Sequence, residues 1–118
     1  MRIAVCPGSF DPVTRGHLDI FERAAKMFDQ VIVAVFHNPG KRPAFSMEER
    51  VQMLQDATKH IPNIQVDCFS GLLNEYVRAR DTNIIVRGLL ALTYFEYMFH
   101  RALLIKHVDP DIETVFMM

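Results

Sequence analysis

Apolar residues in this chain come as short runs separated by longer segments in which they recur every three or four positions. Arg2–Cys6, Val31–Phe36 and Ile84–Val86 read as buried parallel strands, and Ile64–Cys68 alternates as a half-buried or edge strand does. Between them the period lengthens. Leu18, Ile20, Phe21, Ala24, Ala25 and Phe28 predict a helix over Gly16–Phe28. Ser46 with Glu49 three residues on is a capping box, and Met47, Val51, Met53, Leu54 and Ala57 continue it as a second helix. Leu72, Leu73, Tyr76 and Val77 mark a third over Leu72–Arg80, and a fourth runs from near Leu90 to about His107. Glu113–Met117 is a fifth strand.

Strands alternating with helices imply an α/β, Rossmann-like doubly wound parallel sheet of about five strands, with right-handed crossovers and helices on both faces. Ligands of such sheets bind beyond the carboxyl ends of the strands. That rule directs attention to Gly8–Asp11, His37–Arg42, Phe69–Leu73 and Arg87–Leu89, and Asn38–Pro43 reads as a loop.

Length and charge narrow the function. At 118 residues the chain is expected to form a single domain over 1–118. Half of it is hydrophobic, 23% is charged and the net charge is -1, which gives no electrostatic case for nucleic acid or an acidic membrane surface. No run of about 18 apolar residues predicts a membrane span. No signal peptide is evident, and Cys6 and Cys68, in apolar surroundings, read as buried thiols of a cytoplasmic protein with no metal-ligand spacing.

The candidate chemistry lies in Cys6-Pro7-Gly8-Ser9-Phe10-Asp11-Pro12-Val13-Thr14-Arg15-Gly16-His17, a strand, a glycine-containing turn and a helix start. Unpaired N–H groups and a positive dipole end suit a phosphate there, and a first-turn histidine can donate to a phosphoryl oxygen. Gly8 and Gly16 leave room for close approach of a nucleotide.

Thr14-Arg15-Gly16-His17 is the Thr-x-Gly-His form of the nucleotidylyltransferase signature, and the surrounding Pro7–Ile20 is similar to the bacterial phosphopantetheine adenylyltransferase family. The resemblance continues through Asn38–Pro43, Phe45–Arg50, Phe69–Leu73, Val86–Leu89, Phe95–Tyr97 and Ile112–Met118. It implies transfer of the adenylyl group of ATP to 4′-phosphopantetheine with magnesium, giving dephospho-coenzyme A and pyrophosphate. It also implies roles by position. Ser9 and Phe10 contact the substrates, with Ser9 near the attacking phosphate, and His17 stabilises charge on the α-phosphate. Lys41 holds phosphate from its loop, Leu72 and Leu73 line the pantetheine arm, Arg87 binds phosphate, and Gly88 lets ATP approach the backbone.

The same resemblance marks departures. Where the family has Arg-Gly-Leu-Arg, this chain has Arg87-Gly88-Leu89-Leu90; Tyr94 and Met98 stand at acidic positions flanking Phe95-Glu96-Tyr97, and Ile105 stands at an asparagine. The family also continues past the last strand into a Ser/Thr-rich segment that holds ATP phosphates, and this sequence ends at Met118. Residues 90–108 are apolar on more than one face, as a helix buried on two sides would be. Two expectations follow. One is an adenylyltransferase with impaired activity, in a homo-oligomer as the family implies. The other is a catalytically inactive scaffold, resembling an engineered one, that assembles through helix 90–108.

Overall fold

The computed structural model describes residues 1–40, 42–89 and 92–118, without the side chains of 92–95. The elements in chain order are β1 (Ile3–Gly8), α1 (Arg15–Met27), β2 (Gln30–Phe36), α2 (Met47–Thr58), β3 (Ile64–Phe69), α3 (Leu73–Ala79), β4 (Ile84–Gly88), α4 (Leu92–Val108) and β5 (Glu113–Met117). They build one parallel sheet in the order β3-β2-β1-β4-β5. The chain therefore winds outward from β1 to one edge, returns to β4, and winds outward again. A Rossmann-like α/β fold results.

The helices divide between the two faces. α1 and α2 cover the first, where Ile20, Phe21, Ala24 and Leu54 pack on Ala4, Cys6, Val31, Val33, Val35 and Val86. On the second face Leu73 and Val77 of α3 meet Val5, Ile32, Ala34 and Ile85, and Ile105 of α4 packs at the margin. Val31 to Val35 are buried on both sides, so the run lacks alternation for the reason expected of a central parallel strand.

One feature of the pairing opens the site. β1 pairs with β4 only at Ala4↔Ile84 and Val5↔Ile85. Beyond Val5, β1 keeps its pairing with β2 through Gly8↔Val35, and β4 keeps its own with β5 through Gly88↔Met117. The two central strands therefore part at their carboxyl ends. Pro7, with no N–H to give, falls where that ladder has ended. This is the switch point at which doubly wound sheets hold ligands.

The sequence placed the strands and helices to within a few residues, and β3 is the edge strand its alternation predicts. Cys68 corrects an expectation. It shares the face of Ile64 and Val66 but is exposed near the carboxyl end of the edge strand, whereas Cys6 is buried. Burial pushes the Cys6 thiol up to about 12, so it stays protonated and unreactive.

Candidate active site

α1 begins with an uncommon cap. Thr14 is the N-cap; its side-chain oxygen accepts from the His17 backbone N–H at 3.3 Å. His17 answers with its own side chain, its Nδ1 lying 3.0 Å from the Thr14 backbone N–H and 3.1 Å from Thr14 Oγ1. This is a capping box in which imidazole takes the place of the usual Glu or Gln.

The geometry decides the tautomer. A backbone N–H can only donate, so Nδ1 accepts and the proton of neutral His17 sits on Nε2. Burial lowers the His17 pKa, and protonating Nδ1 would also break the bond from Thr14. His17 is thus a neutral imidazole with Nε2–H as its available donor.

Two aromatic rings brace it. Phe10 meets His17 edge-on with centroids 5.1 Å apart, and meets Phe21 at 5.4 Å. To reach this position Phe10 adopts a left-handed backbone, φ 45°, which costs a non-glycine residue of the order of 1–3 kcal/mol. Its ring is buried, which offsets that cost.

Gly8 explains the space beneath it. A Cβ at Gly8 would lie 2.9 Å from Phe10 Cζ, so the missing side chain makes room for Phe10. Gly88 behaves alike: a Cβ there would lie 2.8 Å from Ile20 Cγ1, and the glycine is what lets α1 pack close to β4. The sequence predicts both glycines as openings for a ligand; in the structure their immediate neighbours are side chains of this chain.

Between the parted ends of β1 and β4 lies a cavity of about 240 Å³. Ser9, Phe10, His17, Arg87 and Gly88 all line it, so five of the residues singled out in the sequence converge. Met98 of α4 closes another side. The apolar departure at position 98 therefore sits on the cavity wall itself. A larger hollow of about 390 Å³ lies at the opposite, amino end of the strands, among Arg2, Phe28, Thr82 and Asn83. Two of its polar side chains are engaged in structure: Thr82 Oγ1 donates to the Ile3 carbonyl, and Asn83 Nδ2 to the Asp111 carbonyl at 2.7 Å. The smaller cavity, at the ligand-binding end and beside a histidine, is the candidate site.

Three predicted residues fall elsewhere. Lys41 lies outside the described residues. Leu73 is buried in the core of the second face, and Leu72 is 61% exposed as the N-cap of α3; neither lines the cavity.

Two supporting residues were missed. Asp11 accepts from the backbone N–H groups of Ala44 at 2.7 Å and Phe45 at 2.9 Å. Arg50 of α2, only 4% exposed, donates from Nη1 to the Ser9 carbonyl at 2.9 Å. Arginine is rarely buried without partners, but its burial is invisible in the sequence, where position 50 reads as one more polar residue on a helix.

A doubly wound parallel sheet with a histidine-bearing helix start at its switch point defines a nucleotidyltransferase-like α/β protein. The cytidylyltransferase-like family model matches residues 5–118. Over all 118 residues the chain is 52% identical to the phosphopantetheine adenylyltransferase of Caldanaerobacter subterraneus subsp. tengcongensis, covering 74% of it. Over 117 residues it is 54% identical to that of Heliobacterium modesticaldum, covering 70%. The chain belongs to the phosphopantetheine adenylyltransferase family.

Among solved structures, the fold matches a lipopolysaccharide core biosynthesis protein from Thermoplasma volcanium at TM-score 0.69 and 18% identity, covering all of this chain and 97% of that one. It also matches a bifunctional NMN adenylyltransferase/ADP ribose pyrophosphatase from Francisella tularensis at TM-score 0.67 and 18% identity, over 99% of this chain and 38% of that one. At such identities the likeness is one of fold.

Proposed function

We propose that this chain transfers the adenylyl group of ATP to 4′-phosphopantetheine in the cytoplasm. The observation that carries the reading is the fixed Nε2–H tautomer of His17 beside the cavity at the switch point. In this reaction a phosphate oxygen of 4′-phosphopantetheine attacks the α-phosphorus of ATP in line. The bond to the bridging oxygen of the β-phosphate breaks, pyrophosphate leaves, and dephospho-coenzyme A is formed. No group on the protein becomes bonded to substrate, so the protein's work is positioning and charge stabilisation.

His17 donates from Nε2 to the α-phosphoryl oxygen on which charge develops. Ser9 meets the attacking phosphate, and Phe10 holds both His17 and the substrates' position. Arg87 and Lys41 bind phosphate, and the Gly88 backbone lies along the nucleotide. Leu72 receives the pantetheine arm, supported from the core by Leu73.

Magnesium would accompany ATP. Among the described residues Asp11 is the one carboxylate lining the cavity, and each of its oxygens accepts a backbone N–H group. No group of three metal-ligating side chains occurs among the described residues. The described donor set thus fits a cation held chiefly by the nucleotide's phosphates, with Mg²⁺ keeping several of its own waters. There it would neutralise phosphate charge.

A pyrophosphate-release assay with ATP, 4′-phosphopantetheine and Mg²⁺ tests the reaction. Release that requires both substrates and is lost in His17→Ala is the expected result. A folded protein that releases none with both present sinks the proposal and favours the inactive scaffold.

A second proposal concerns assembly. Tyr97, Leu103, Leu104 and Val108 of α4 are each more than half exposed, a surface that supports a homo-oligomer formed through this helix. Light scattering after size-exclusion chromatography is expected to show more than one chain per particle. A monomer at micromolar concentration overturns it.

A further inference from the structure

Two ties cross between the loop that follows β1 and the segment that enters α2. In each, a side chain of one segment meets the backbone of the other, and in both the donors lie on the α2 side. Asp11, on the first loop, accepts from the backbone of Ala44 and Phe45. Arg50, on α2, donates to the Ser9 carbonyl at 2.9 Å and, more weakly, to the Ser46 carbonyl at 3.4 Å. Ser9 and Asp11 both line the cavity, and they flank Phe10, the residue with the left-handed backbone.

We infer that Asp11 and Arg50 form a reciprocal latch that positions the phosphate-binding turn and the β2–α2 loop against each other. Neither acts on substrate directly. Arg50 is almost fully buried, and Asp11 has both oxygens committed.

The physical case rests on what each group can and cannot do. A carboxylate accepts two N–H groups at once, while a carboxamide has one acceptor oxygen and would turn an NH₂ toward one of those N–H groups. Asp11 is therefore not replaceable by Asn at equal size. Among the described residues Arg50 has no carboxylate within ion-pair distance, so its buried charge is directed at carbonyl oxygens. The planar guanidinium reaches two carbonyls at once, Nη1 meeting Ser9 and Nε meeting Ser46, and so ties the Ser9 peptide to the start of α2 from a pre-organised fork that a lysine lacks. Holding Ser9 in turn holds Phe10, whose ring braces His17. The loop on the far side of the latch runs back from Ala44 to β2 and contains Lys41. Losing the latch frees the turn that lines the cavity and the β2–α2 loop together.

The inference rests on the proposed adenylyl transfer only for its consequence, and its test has a readout that does not. Asp11→Asn, Arg50→Met and the double variant are compared with the unmodified chain by hydrogen exchange, by ATP binding measured calorimetrically with Mg²⁺, and by pyrophosphate release. Thermal melts confirm that each is folded, and Arg50→Lys serves where Arg50→Met does not fold. In Asp11→Asn the amides of Ala44 and Phe45 are expected to exchange about tenfold faster or more, the loss typical of a charge-assisted hydrogen bond, while strand amides are unchanged. ATP affinity is expected to fall by a similar factor, about tenfold, in each single variant, and no further in the double.

Unchanged exchange at Ala44 and Phe45 overturns the latch. Faster exchange with unchanged ATP affinity overturns its positioning role. Effects that simply add in the double variant show two separate ties and overturn the reciprocity. A chain that binds ATP in this latch-dependent way and yet transfers nothing refutes the proposed reaction while leaving the latch in place.

Discussion

Two helices, α1 and α4, flank the cavity, and they differ in how their sequences place them. α1 has one apolar stripe, Ile20, Phe21 and Ala24 being buried, with Asp19, Glu22 and Lys26 outward. Its start is fixed by Thr14 and His17, and the residue that caps it is the residue proposed for chemistry. α4 is apolar nearly all round. From residue 96 onward its inward stripe is Met98, Ala102 and Ile105, at i, i+4 and i+7, while Tyr97, Phe99, Leu103, Leu104 and Val108 face out. Hydrophobicity in α1 carries direction; in α4 it carries quantity without direction. An amphipathic pattern tells a helix which way to face, and an excess of apolar residues says only that more surface needs covering than one sheet face supplies.

The sharpest way to break this contrast is to truncate one large side chain on each helix. Phe21→Ala, at a fully buried position in α1, is expected to cost about 3–5 kcal/mol in chemical denaturation, and Leu104→Ala in α4 within about 0.5 kcal/mol. Comparable losses at the two sites would show that α4 is covered after all. If the loss at Leu104 grows with protein concentration, another copy covers it.

Catalysis separates the helices next. His17→Ala is expected to lower turnover about 100-fold or more, the scale of losing one preorganised donor. Met98→Leu, on the opposite wall, is expected to stay within about threefold, as a volume-conserving apolar swap should. If Met98→Leu proves as damaging as His17→Ala, the cavity depends on α4 as closely as on α1.

The packing of α1 against β4 gives a smaller effect. Gly88→Ala puts a methyl 2.8 Å from Ile20 and is expected to destabilise by about 1–3 kcal/mol. In the double variant with Ile20→Val the cost should fall. A neutral Gly88→Ala would mean that α1 sits less tightly than the structure shows.

The smallest expected effect is in pH. His17 has its pKa lowered from 6.5 by burial, so below that value the unfolded chain binds a proton that the native chain resists. Stability from this group is therefore complete above the unfolded pKa, falls as pH drops below about 6.5, and stops falling below the native pKa. Melting temperatures from pH 7.5 to 5 should decline more for the unmodified chain than for His17→Gln, which keeps an acceptor at the cap without titrating. Parallel declines would contradict the buried, capped imidazole.

Much of this was legible in advance, and the exceptions have physical causes. The Ser46–Glu49 capping box was readable because serine and glutamate are its usual partners. The Thr14–His17 box has the same spacing and went unread because imidazole is not the usual acceptor. Gly8, Ser9, Phe10, His17, Arg87 and Gly88 were correctly gathered at one end of the sheet. The reason for the two glycines was not recoverable, since Phe10 and Ile20 approach them from other elements. Arg50 and Asp11 act across separations of 41, 33 and 34 residues, beyond any local pattern.

By itself the sequence determined the alternation of strands and helices, the parallel sheet, the histidine at a helix start and the family. The first three follow from periodicity and local chemistry, which act over a few residues, and the family follows from the resemblance of its motifs. The tertiary structure decided which strands part to open the cavity, which tautomer His17 holds, and which way an evenly apolar α4 turns. Each depends on a neighbour distant in the chain or on backbone geometry, and burial and hydrogen-bond direction are set only when those neighbours meet.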